Sequence, residues 1–201
     1  MKVKIKKQGE TKEFKLIDSW EDVTLETWLQ LIDFKEGTKT EEATKTIAAL
    51  TDIPKRLVQE LALSDVVNIM SKIGELQEKQ DTKLKNLIEI NGVEYGFHPD
   101  LSEITLGEYA DIEQFLKDGI DNNLPELMSV LYRPIKEKHK DSGIYIIDAY
   151  DGNIRLRAEE MKQMTAEQVQ SALVFFYNFG KVYSEIMLSC LMDQLKETKT
   201  Q

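Results

Sequence analysis

Apolar and polar positions alternate where the chain begins: Val3, Ile5, Phe14 and Leu16 point one way and Lys2, Lys4 and Lys15 the other, on either side of the polar stretch KQGETK. A period of two predicts a strand pair closed by a turn. Its lysines would solvate an exposed edge and discourage edge pairing. From Thr24 the period lengthens, with Leu25, Trp28, Leu31 and Ile32 on one face, which predicts an amphipathic helix starting at Thr24. Shorter helices are predicted in TEEATKTIAAL and KRLVQELA, and a fourth from the cap Ser64 to about Gln77. After the polar run 77–85, Asn91-Gly92 stands between two alternating apolar runs, the signal of a tight hairpin whose turn residues need positive φ. Thr105 and Glu108 then sit at capping-box spacing before a second helix of the same kind.

Sliding the chain against itself by 81 residues sets Phe14 on Tyr95, Leu16 on Phe97, Thr24 on Thr105, Leu25 on Leu106, Trp28 on Tyr109, Ile47 on Met128 and Leu50 on Leu131 without a gap. The matches are apolar for apolar plus one cap, as a packed interior requires. Beyond Leu131 the register breaks. Setting Ser64 on Thr165 takes a shift of 101, so about 20 residues are inserted near 136–155. The expected fold is mainly α within an α+β class: two repeats of β-hairpin plus helices, residues 1–80 and 81–201, in one compact body. Within the insertion, Asp151-Gly152 is read as the turn of a small hairpin between IYIIDAY and NIRLR. The second repeat is expected to end in a long C-terminal helix capped by Thr165, running about thirty residues or ~48 Å at 1.5 Å per residue. Its distal half carries Tyr183, Ile186, Met187, Leu191 and Leu195 at spacings of three and four. This stripe is either a partner-binding face or a face packed back on the first repeat.

Composition narrows the function classes. A net charge of −10 with no basic stripe offers nothing to neutralise phosphates, so nucleic acid is not an expected partner. No run reaches the ~18 apolar residues of a membrane span, and MKVKIKKQGE has no apolar export segment. A single cysteine, Cys190, fits a reducing compartment. His98 and His139 lie apart, without neighbours at zinc-ligand spacing, and His98 before Pro99 reads as the end of the second hairpin. Asp148 and Asp151 lack the further oxygen ligands of a calcium loop. With no phosphate loop and no nucleophile elbow, the expectation is a non-enzyme with no metal and no cofactor.

The stretches INGVEYGFHPDLSEITLGEYADIEQFL, LPELMSVLYRPI and ALVFFYNFG, within residues 88–180, resemble segments of small tailed-bacteriophage proteins of the morphogenesis region, similar in character to tail assembly chaperones or minor virion proteins. The resemblance carries over no active site. It implies an assembly role in the host cytoplasm or the virion, through contacts with other phage structural proteins or by self-association. Two readings stand: a tail assembly chaperone that binds and leaves, or a stoichiometric virion component such as a connector, vertex or packaged protein.

Overall fold

The computed structural model describes residues 1–7, 10–33, 38–77, 83–139 and 143–178. Among the described residues it is an α+β fold of eight helices and two small antiparallel sheets. Strands β1 (Lys2–Lys7) and β2 (Glu10–Lys15) form the first sheet. Helices α1 (Leu25–Asp33), α2 (Lys39–Leu50), α3 (Lys55–Val58) and α4 (Leu63–Gln77) follow. The second sheet runs β3 (Leu87–Ile90), β4 (Val93–Phe97), β5 (Tyr132–Lys138), β6 (Tyr145–Ile147), in that order across the sheet. Helices α5 (Leu106–Lys117) and α6 (Leu124–Leu131) connect β4 to β5; α7 (Ile154–Met161) and α8 (166–178) close the described chain.

The local reasons are readable. Asn91 and Gly92 take φ of 51° and 80°, the positive values that a two-residue turn needs. Helix α4 begins one residue before the expected cap: Ala62 C=O receives the first-turn N–H groups of Asp65 and Val66, and Ser64 lies inside the helix. The hairpin expected at Asp151-Gly152 is not formed. Asp151 instead accepts the Asn153 N–H and pairs with Arg157 at the head of α7. The apparent alternation of NIRLR gives way to a helical spacing, Ile154, Ala158 and Met161, which faces the core. The hairpin of this region is β5–β6, and it lies close over β4. A Cβ on Gly96 would stand 2.5 Å from the Tyr145 ring and 2.9 Å from Ile147, so any larger residue would have to displace those side chains.

The shift of 81 residues recurs in the backbone pairing. Ile17 N–H donates to Leu50 C=O at 3.1 Å, and His98 N–H to Leu131 C=O at 2.7 Å. The Leu16–Thr51 bridge corresponds to the Phe97–Tyr132 pair. Ser19 and Asp100 each cap a short 3-10 turn whose inward residue, Trp20 or Leu101, is buried. Thr24 accepts the Thr27 N–H at 3.2 Å and Thr105 the Glu108 N–H at 3.3 Å, so both stand at a helix start. After the insertion the matching shift is 103 rather than 101. Leu61 N–H to Val58 C=O corresponds to Met164 N–H to Met161 C=O, and Val66 N–H to Ala62 C=O corresponds to Val169 N–H to Thr165 C=O. The second half therefore holds 22 extra residues between these points, the difference of the two shifts.

The halves meet where α1 and α8 begin. Thr24 and Thr165 form an antiparallel bridge in which Leu25 N–H donates to Met164 C=O at 2.7 Å and Ala166 N–H to Val23 C=O at 2.7 Å. Each helix start thus satisfies a first-turn N–H that the other cannot pair internally. Lys85 crosses the same joint, 2.9 Å from Glu21 and 2.7 Å from Glu167. Burial alone would lower the lysine's pKa, but the two carboxylates outweigh it and hold the ammonium charged above its ordinary range. Around the joint lie two cores. One gathers β1, β2, α2 and α4; the other gathers β3, β4, α6, α7 and α8, with Leu25, Leu29 and Ile32 of α1 packed into it.

Two measurements follow from this packing. Thr24→Ala and Thr105→Ala should each cost about 1 kcal/mol in urea unfolding, and equal costs would reflect equivalent caps. Gly96→Ala should cost about 1–3 kcal/mol by overpacking, whereas Lys15→Ala, at the matching exposed position of the first hairpin, should be close to neutral.

Candidate functional site

Among the described residues, the buried charged side chains lie where β4 ends, on the first turn of α5 and on β5. Glu108 is 1% and Arg133 4% exposed. The Glu108 carboxylate has two tasks. Its Oε2 accepts the backbone N–H and the hydroxyl of Thr105, each at 2.6 Å, completing the capping box of α5. Its Oε1 stands 2.6 Å from Arg133 Nη1. That approach is ionic rather than an aligned hydrogen bond, since Oε1 and Arg133 Nε lack a well-directed partner among the described residues. Burial raises the Glu108 pKa, but the two Thr105 bonds and the Arg133 charge together hold the carboxyl below its ordinary value.

His98 completes the group from the end of β4, with Nε2 at 3.6 Å from Glu108 Oε1. Its Nδ1 accepts the Asp100 N–H at 3.3 Å, so the neutral ring carries its proton on Nε2, toward the carboxylate. Burial holds this imidazole below the ordinary histidine value, against the opposing pull of Glu108. Above the pair, the Arg133 guanidinium lies 5.9 Å from the centre of the Tyr150 ring, and the Tyr150 hydroxyl donates to Asp111 on α5. The group therefore joins four pieces of chain that are distant in sequence. Beside it opens a cleft of about 710 Å³ lined by Leu84, Phe97, His98, Leu101, Tyr145 and Phe175.

This arrangement is suited to fixing structure: an ionised pair, a neutral imidazole beyond direct hydrogen-bond reach of it, and a tyrosine lid. Among the described residues no cluster of three or more His, Cys, Asp or Glu is placed to hold a metal ion. Nor is any described helix long and apolar enough to cross a membrane. No protein-family model, curated protein or solved structure matches the chain.

Thr24 and Thr105 stand at the starts of α1 and α5, and Glu108 both caps α5 and pairs with Arg133. Thr165 starts α8, accepting the Gln168 N–H at 3.2 Å while Gln168 Oε1 accepts the Thr165 N–H at 3.0 Å. The structure brings Thr24 and Thr165 together and sets Thr105 apart from them. Tyr183, Ile186, Met187, Leu191 and Leu195 lie outside the described residues. Sequence reasoning missed Arg133. The available signal was a guanidinium set inside the apolar run LMSVLYRPI, where Asp52 stands one repeat earlier.

The pH dependence has a fixed sign. His98 is depressed from 6.5 and Glu108 from 4.5, so in the window just below each value the unfolded chain binds more protons than the folded one. Stability then rises with pH through both windows. Acidification from pH 7 should lower the urea midpoint first below 6.5 and again below 4.5, and His98→Gln should remove the first of these losses. At neutral pH, Glu108→Gln should cost about 3–5 kcal/mol by leaving Arg133 buried and unpaired. The double variant Glu108→Gln, Arg133→Met should cost less than the sum of its parts.

Proposed function

We propose that the chain is a non-enzymatic bacteriophage assembly protein that acts through protein–protein contacts, in the manner of a tail assembly chaperone. The observation that carries this reading is large apolar side chains held in water on several elements, among them Leu63 and Val67 on α4, Leu106 and Tyr109 on α5, and Tyr177 on α8. Exposed apolar surface beyond scattered single residues marks contact sites. The resemblance of residues 88–180 to morphogenesis proteins supplies the setting. In this reading the helix that starts at 166 continues beyond 178 as the long C-terminal helix of the sequence pattern. Its distal stripe, Tyr183, Ile186, Met187, Leu191 and Leu195, then meets another phage structural protein.

A mass-spectrometric inventory of purified particles, paired with affinity capture of the tagged chain from infected cells, tests the proposal. Capture of one unassembled structural protein, with the chain absent from particles, is expected. Salt-stable presence in the particle would replace the chaperone reading by a virion component, and presence in neither fraction would overturn both. Ile186→Glu with Leu191→Glu should abolish capture while leaving the helical circular dichroism unchanged. Unfolding of that variant would assign the stripe to the core.

A further inference from the structure

The joint between the two halves is one-directional. The α7–α8 junction of the second half sits on the start of α1 in the first, and the reverse contact is not made. The unmade contact has left both of its faces in water. Leu25, inside the joint, is 0% exposed, while its counterpart one repeat on, Leu106, is 83% exposed. Trp28 is partly buried against both cores, and its counterpart Tyr109 is 52% exposed. On the other side, Ala166 is 0% exposed, while its counterpart at the 103-residue shift, Leu63, is 79% exposed. Ala62, the counterpart of Thr165, is exposed as well. The molecule therefore carries one unfilled copy of each half of its own joint.

We propose that a second copy of this chain docks its α3–α4 junction, Leu61–Leu63, against the start of α5 at Ile104–Leu106, repeating between molecules the joint that each makes internally. Leu106 N–H would donate to Leu61 C=O of the second copy, and the second copy's Leu63 N–H to Ile104 C=O. Both donors belong to the first turn of a helix and have no partner within it. The second copy's Leu63 side chain would lie beside Leu106 and Tyr109 and take them out of water. One element of the internal joint is not repeated. The carboxylates that hold Lys85, Glu21 and Glu167, correspond to Ser102 and Ser64, and the counterpart of Lys85 is Lys4, which is paired with Glu13. The contact between copies is thus apolar and backbone-borne without an ion bridge, and association is concentration-dependent. Because the two faces differ, each added copy leaves one of each kind open. Growth runs head to tail, closing into a ring or continuing as a filament according to the rotation at each step. Leu63, Leu106 and Tyr109 enter both this contact and the proposed function, but self-association needs no viral partner, so its failure in the purified chain is distinguishable from failure of the proposed function.

Sedimentation velocity of the full chain over a concentration series, with Leu106→Glu and Leu63→Glu, tests this. Both side chains are exposed, so each variant should keep the wild-type circular dichroism, and at dilute concentration the wild-type melting point. The wild type should show a series of species larger than monomer, and each variant alone should remain monomeric. An equimolar mixture of the two variants should form a dimer and nothing larger, since each supplies the face that the other lacks. Three results would overturn the proposal: a wild type that stays monomeric to its solubility limit, association undiminished in either variant, or variants that both dissociate and fail to complement one another.

Discussion

The first turn of a helix leaves N–H groups that no residue of that helix can accept, and where such a turn is buried something outside the helix must satisfy them. Here α1 and α8 solve this for each other. Leu25 and Ala166 donate across the Thr24–Thr165 bridge to the carbonyls of Met164 and Val23, while the two threonine side chains cap the next turns. The exchange fixes the position of α1 and α8, and both helices reach into both cores, α8 through Ala166 on one side and Val169 and Ala172 on the other. Leu25, Leu29 and Ile32 pack with the second half, Leu31 with the first, and Trp28 with both. An amphipathic helix is held by burial of its apolar residues, and the reciprocal bridge sets those of α1 between the two cores while Glu26, Gln30 and Asp33 stay in water.

The departures from the repeat are as informative as the matches. Where the first half has Ile17, Thr27 and Asp52, the second has His98, Glu108 and Arg133, and these three assemble into the buried charged group. A buried pair of this kind is poor evidence for net stability, because desolvation of both ions opposes their attraction. Its effect is on position. Any shift of α5 against β5 separates Glu108 from Arg133 and leaves two uncompensated charges. The insertion belongs to the same set of changes. Tyr150 covers Arg133 and bonds to Asp111, the Tyr145 hydroxyl donates to Phe97 C=O at 2.8 Å, and Gly96 has no side chain to obstruct the ring.

Much of the fold was legible because it rests on short-range rules. The Asn91-Gly92 turn, the caps at Thr24, Thr105 and Thr165, and the ungapped shift from Phe14 to Leu131 all depend on residues within a few positions of each other or on a constant offset. The errors arose where a local pattern had two readings. NIRLR alternates over five residues, but its apolar period is helical over eight, and a glycine after aspartate serves a helix-entry turn as well as a hairpin. Ser64 had the chemistry of a cap, yet the turn after α3 sets the helix start at Leu63, which moves the second shift from 101 to 103. The Glu108–Arg133 pair was hidden because its partners lie on different elements, and nothing local to either residue selects the other. The Thr24–Thr165 bridge was hidden for the same reason, although the sequence marks both of its members as caps.

Exposure by itself is a weak sign of function, and the repeat supplies the control that a single domain lacks. Val93 is an exposed valine on the second hairpin, but its counterpart Lys12 is exposed too, so that position faces water in both halves and its side chain needs no explanation. Leu106 is different. The capping box of α5 requires Thr105 and Glu108 and nothing of the residue between the cap and Gly107, and a polar side chain there would serve the helix equally well. At the matching position of the first half a leucine is enclosed completely, and at the matching position of the α8 start an alanine is enclosed where Leu63 is not. Two apolar side chains are thus kept in water at the two positions where the same scaffold elsewhere encloses its residues beside a backbone bridge, and the local demands of α4 and α5 account for neither.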